Sequence, residues 1–241
     1  MTKLYKHISF LLLIILTSGY AIGKTPSKAI KSAFKIIGSN IEKLDSVDQV
    51  LVIYNETPES NSATLVAFEK KNKKWITVFR PMEVGIGRNG FAAPGEKREG
   101  DSKSPTGLFR LGQLYGYEET VDSRMPYRQS TLDDKWIDDP DSPDYNKPIK
   151  GNTTAKSFEN LKISSNEYKL CLVIEYNMHP IVKGMGSAIF MHLSYGDAPN
   201  PSSGCVVLTP NNLSLLLKWM NPGSKPSVLM GTFEVLNSKQ K

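Results

Sequence analysis

From Gln49 the chain runs QVLVIYN, and segments of the same kind recur as ATLVAFEK, KWITVFR, GLFRLGQLYGY, YKLCLVIEYN, SAIFMHLSY and CVVLTP. Runs rich in β-branched and aromatic residues, bounded by turn-forming residues, read as strands. They follow one another without an intervening helical period. A doubly wound parallel sheet needs a crossover helix after each strand, so this order argues against it and for a mainly β fold with peripheral helices.

Two segments do carry the helical period. Residues 26–43 space Ala29, Ile30, Phe34, Ile36, Ile37 and Ile41 along one face, with lysines between them. Residues 210–220 open on Pro210, carry Leu213, Leu216, Leu217 and Met220 as a stripe, and stop at Pro222-Gly223. The closing PSVLMGTFEVL reads as a strand or a pair of strands. Residues 118–160 show no sustained period and are dense in Asp, Pro, Ser and Asn. They read as an ordered, irregular insertion of the kind that serves a site.

Ahead of all this, Lys3, Lys6 and His7 precede an uncharged apolar run, and Ala21-Ile22-Gly23 offers small residues before Lys24. That is the pattern of a secretory signal peptide over residues 1–23, and the run is shorter than the roughly 20 residues of a membrane span. The expectation is an exported protein, in the periplasm or cell envelope, with no membrane anchor after cleavage. The formal charge of +6 is spread among acidic residues and forms no basic block, which argues against nucleic acid as a partner.

The residues that bear chemistry cluster late, in FMHLSYGDAPNPSSGCVVL. A cysteine attacks a carbonyl as its thiolate, and an imidazole within reach takes the proton. With His7 leaving in the signal peptide, His179 and His192 remain, and both precede Cys205. His192 ends the apolar strand AIFMH, where a sheet would fix it, whereas His179 precedes Pro180 in a turn at the surface or a pocket rim. Gly204 permits a sharp turn that exposes the sulfur and aims the Gly204 and Cys205 N–H groups at an oxyanion. Three other readings stay open on the residues alone. They are a disulfide between Cys171 and Cys205, a core histidine beside a buried thiol, and a metal held by His179, His192, Asp197 and Cys205.

GIGRNG at 85–90 has the glycine spacing of a dinucleotide-binding turn, but no helix opens after it. Its glycines read as an ordinary turn.

Taken together, His192, the segment Ser202-Ser203-Gly204-Cys205-Val206-Val207 and the element SPTGLFRL at 104–111 resemble the L,D-transpeptidase family with the YkuD-type catalytic domain. The similarity extends through GIGRNGFA, KREGDSKSPTG, WIDDPDSPDYN and GSAIFMH, and so over most of residues 48–236. The order His then Cys differs from papain-like and NlpC/P60-like peptidases. A sortase would need an arginine after the cysteine, and none follows Cys205.

The resemblance implies a β-sandwich catalytic domain over 48–236, between a helical segment at 24–47 and a tail at 237–241. It implies Cys205 as nucleophile and His192 as base, with the Gly204 and Cys205 backbone as oxyanion donors and no metal or organic cofactor. The substrate would be peptidoglycan stem peptides, and the enzyme a monomer. Ser202, Ser203, Arg98, Tyr145 and Asn146 are the expected substrate contacts, with Lys97 and Asp101 beside them. Many members carry histidine where this chain has Ser203 and arginine where it has Val207, which leaves the acyl acceptor open among an amine, water and none.

Overall fold

The computed structural model describes residues 27–238. The signal-peptide reading of 1–23 lies outside them. Among the described residues no helix is long and apolar enough to cross a membrane.

A sheet of ten strands forms the body. In chain order its members are β1 Gln49–Asn55, β2 Ser62–Lys71, β3 Lys74–Thr77, β4 Met82–Gly85, β5 Gly107–Gly116 and β6 Tyr127–Gln129, then β10 Leu170–Ile174, β11 Phe190–Leu193, β12 Val206–Leu208 and β13 Ser227–Thr232. Neighbours run β1-β13-β5-β10-β11-β12-β4-β2-β3, and the additional pairing of β1 with β2 closes eight of them into a ring. The mainly β fold read from the strands, and the sandwich that the resemblance implies, take the form of one sheet wrapped on itself.

The alternation of side chains explains what fills the ring and what covers it. Leu51 and Ile53 of β1, Leu172 and Ile174 of β10, Met191 and Leu193 of β11, and Val206 and Leu208 of β12 belong to one interior core. The alternate residues point outward and are covered twice over. On one side Val50, Val52 and Tyr54 pack with Ala33, Ile36 and Ile37 of helix α1, Lys28–Ser39. On another, Cys171, Val173 and Phe190 pack with Trp136, Leu161 and Tyr168. With both faces covered, every residue of β1 is buried, which is why its middle, 50–54, runs continuously hydrophobic instead of alternating.

Helix α1 starts where the Ser27 hydroxyl accepts the Ile30 N–H at 3.4 Å. It stops earlier than the apolar spacing predicts. Asn40 turns its amide onto the Ile36 carbonyl at 2.9 Å and the Leu236 carbonyl at 2.7 Å, and Ile41 is left exposed. Helix α2, Pro210–Trp219, matches its predicted span, with Thr209 as N-cap and Leu213, Leu216 and Leu217 inside. The end of the chain differs from the expected strand pair. After β13, Thr232 caps a short helix α3, Phe233–Asn237, by accepting from Val235 N at 3.3 Å.

The insertion 118–160 is more regular than its sequence shows. It contains β6 and, with β7 Asp134–Ile137, β8 Pro148–Lys150 and β9 Phe158–Asn160, a second sheet in the order β8-β7-β9. Strands of three or four residues are too short to display a period. This small sheet serves as a cover whose anchor is Trp136. Its ring meets Phe190 of β11 and Tyr115 of β5 edge-to-face, with centroids 5.1 and 6.5 Å away, and its indole N–H donates to Asn146 Oδ1 at 2.9 Å. Trp136→Ala is expected to lower unfolding free energy by about 3–5 kcal/mol, measured by urea denaturation, because a cavity is left and Asn146 Oδ1 loses one of its two donors.

Candidate active site

Register places the two reactive side chains. β11 and β12 are parallel neighbours with Met191 opposite Val206 and His192 opposite Val207, while β10 sets Cys171 opposite His192. Since Val206 and Leu208 face the interior, Val207 and, two residues earlier, Cys205 face outward, as His192 does. Cys205 and His192 thus lie on one face of two paired strands, two positions apart in the register. Both line one cavity of about 410 Å³ under the cover formed by the insertion.

The turn before the sulfur is held from three sides. Gly204 has φ +148°, and a methyl group on it would come within 2.9 Å of the Lys103 carbonyl and 3.2 Å of Ile189 Cδ1. No other residue fits there without moving the backbone. The Ser104 hydroxyl, fully buried, donates to the Gly204 carbonyl at 2.7 Å while accepting the Gly87 N–H at 2.9 Å. Ser202 bonds its backbone to both Ile86 and Arg88, and its hydroxyl donates to the Cys205 carbonyl at 2.7 Å and accepts the Gly204 N–H at 3.0 Å. In the resting site the Gly204 N–H is therefore engaged by the Ser202 hydroxyl.

Cys205 and Cys171 are both free thiols. The Cys205 thiol donates to the Ala188 carbonyl at 3.3 Å and accepts the Phe190 N–H at 3.4 Å. Desolvation pushes it up to about 12, although the Phe190 N–H pulls the other way and Glu159 adds to the rise. His192 is 5% exposed, and Nδ1 stands 3.0 Å from the Leu193 carbonyl. A carbonyl only accepts, so Nδ1 carries the proton and Nε2 keeps its lone pair. Burial lowers the imidazole below its ordinary value, against the Leu193 carbonyl, which raises it. Both shifts favour neutral thiol beside neutral imidazole. They disfavour an ion pair between the two groups at rest.

The YkuD family model, the L,D-transpeptidase catalytic domain, matches residues 57–229. The chain belongs to that family. No curated protein matches the chain. Among solved structures it is similar to the helical cell shape determining protein Pgp2 from Campylobacter jejuni, at 13% identity and a TM-score of 0.40. That alignment covers 87% of this chain and 61% of the Pgp2 chain, so this chain spans less than two thirds of that one's length.

Within this YkuD domain the cavity brings together His192, Ser202, Ser203, Gly204 and Cys205, with Lys97 beside them. Tyr145, Asn146 and Arg98 do not line it. Tyr145 is buried, with its hydroxyl donating to Glu99 Oε2 at 2.5 Å and accepting the Gly186 N–H at 3.0 Å. Asn146 is saturated, its oxygen accepting from Trp136 and Ala188 N and its amide donating to the Tyr176 and Asn177 carbonyls. These two residues fix the 186–188 segment whose carbonyl holds the thiol, and have no polar atom left for a substrate. Arg98 turns back onto the Gly95 and Lys97 carbonyls, and Asp101 grips Lys97, Arg98 N and Lys103 N. His179 and Asp197 lie outside the cavity, and among the described residues no group of three or more His, Cys, Asp or Glu is placed to hold a metal ion.

Several lining residues had no signal in the sequence. Tyr168 sets its ring edge-to-face on His192, centroids 5.3 Å apart, and donates to Glu159 Oε2 at 3.0 Å. Burial raises the Glu159 and Asp138 carboxyls. Arg88, from the GIGRNG segment, donates to the Ser203 hydroxyl at 3.2 Å. A second cavity of about 460 Å³ near Tyr54, Glu56 and Glu83 has no cysteine or histidine in its lining.

Alkylation of Cys205 by iodoacetamide, followed by intact mass in the absence of substrate, is expected to be slow near neutral pH. Its rate should climb steadily toward the thiol's value of about 12. Full reactivity levelling off near neutrality would show that the ion pair exists before substrate arrives.

Proposed function

We propose that the protein is an exported cysteine L,D-transpeptidase that cross-links peptidoglycan stem peptides through a thioester on Cys205. The observation that carries this reading is the placement of Cys205 and His192 on one sheet face, at one cavity, inside an L,D-transpeptidase catalytic domain. Export follows from the reading of residues 1–23 and places the enzyme in the periplasm or cell envelope.

The chemistry follows from the groups present. A substrate carbonyl arriving at the sulfur displaces the thiol from the Ala188 carbonyl, and His192 Nε2 takes its proton. The thiolate attacks, and the Cys205 N–H donates to the developing oxyanion. The Phe190 N–H stays on sulfur. Collapse of the tetrahedral intermediate breaks the bond to the terminal D-alanine, whose amine leaves with the proton held by His192. An amine of a second stem then attacks the thioester, His192 takes its proton, and the thiol is regenerated as the cross-link forms.

A neutral imidazole is the working base, so acylation is lost as pH falls through the His192 value, which lies below the ordinary 6.5. Purified protein incubated with muropeptides and resolved by mass spectrometry should give cross-linked dimers. Trimmed monomers would instead identify an L,D-carboxypeptidase or amidase that uses water, and unchanged muropeptides would identify a binding protein. Cys205→Ala should abolish the covalent adduct with a carbapenem, His192→Ala should slow its formation on the order of 10²–10⁴-fold, and Cys171→Ala should leave it.

A further inference from the structure

The lining of the catalytic cavity carries four carboxylates, Glu99, Asp138, Glu159 and Glu167, and two permanent cations, Lys97 and Arg88. A carboxylate entering this space is repelled by the four and must be received by one of the two. The cations are built differently. Arg88 is exposed and rests on the Ser203 hydroxyl. Lys97 is 4% exposed, and its ammonium donates to Asp101 Oδ1 at 2.6 Å and to the Arg98 carbonyl at 2.8 Å.

An ammonium has three N–H bonds, so one of them is uncommitted. Asp101 is itself locked by the Arg98 and Lys103 N–H groups, which fixes the ammonium before any ligand arrives. Its position is also defined. A methyl group on Gly204 would lie 3.7 Å from Lys97 Cε, and one on Gly186 would lie 3.3 Å from Nζ. The end of the side chain thus passes Gly204, the residue before the nucleophile, and its ammonium sits beside Gly186.

We infer that Lys97 is the group that receives the terminal carboxylate of the donor stem. This rests on the acyl-transfer reading above. In such a stem three bonds separate the attacked carbonyl carbon from the terminal carboxylate carbon, a span of at most about 4 Å. The group that binds the carboxylate must therefore lie close to the sulfur, and Lys97 lines the same cavity with its side chain passing Gly204. Binding there fixes which peptide bond faces Cys205, and rejects a stem whose end is amidated or extended.

The test compares acylation of Cys205, followed by intact mass, for a stem tetrapeptide with a free terminal carboxylate and the same peptide as its carboxamide. The unaltered protein should prefer the acid by on the order of 10- to 100-fold, a measurement that needs no variant. In Lys97→Met that preference should fall to near unity. Equal rates for acid and carboxamide in the unaltered protein would overturn the inference, as would Lys97→Met slowing both peptides while keeping the full preference, the signature of a purely structural ion pair. Acylation by neither peptide would overturn the acyl-transfer reading itself.

Discussion

The in-register pairing of β11 with β12 is the constraint on which the rest of the site depends. It is a parallel pairing, so the chain must leave the sheet after Leu193, travel outside it and re-enter in the same direction. That return delivers the Ser202-Ser203-Gly204 turn to the strand's starting end and puts Cys205 on the outward face that His192 already occupies. A slip of one residue would send the sulfur into the interior among Val206 and Leu208. Interior packing thereby sets the relative position of the acid and the base, and neither has to be held by the other.

The turn itself is held by elements remote in sequence. The segment 85–90 contributes backbone partners to Ser202, and the Ser104 hydroxyl bridges the Gly87 N–H and the Gly204 carbonyl. A methyl group on Gly87 would fall 2.6 Å from both the Ser102 carbonyl and the Ser104 N–H. The glycine there serves the close approach of three backbones. Serine and glycine in these loops act through what they allow the main chain to do, and the same holds for Tyr145 and Asn146, whose polar atoms are all turned inward on the protein.

Much of this was legible in the sequence, for reasons that can be located. β1, β2, β10 and β11 were readable because aliphatic and aromatic residues dominate them, and α2 because Pro210 and Pro222-Gly223 bracket a leucine stripe. The neighbourhood of His192 and Cys205 was readable because few residue types perform nucleophilic chemistry and these are rare in the chain. The small sheet of the insertion was not readable, since its strands are shorter than the window in which a period shows. α3 was hidden because its apolar residues continue a strand-like run. Tyr145 and Asn146 pointed toward substrate contacts because a polar residue in a loop looks the same whether its partner is a ligand or a buried carbonyl. Tyr168 and Glu159 reach the imidazole only through tertiary packing, which leaves no mark on local sequence.

Closure of the ring has a consequence for how such a domain changes over time. Its lumen is solid with aliphatic side chains, and the reactive sulfur stands on the external wall beneath a separate flap of chain. Remodelling of that flap would reshape the mouth of the cleft, and with it the choice of partner molecule, while the scaffold that aligns thiol and imidazole stays untouched. The architecture separates the part that must be conserved in shape from the part that is free to diversify.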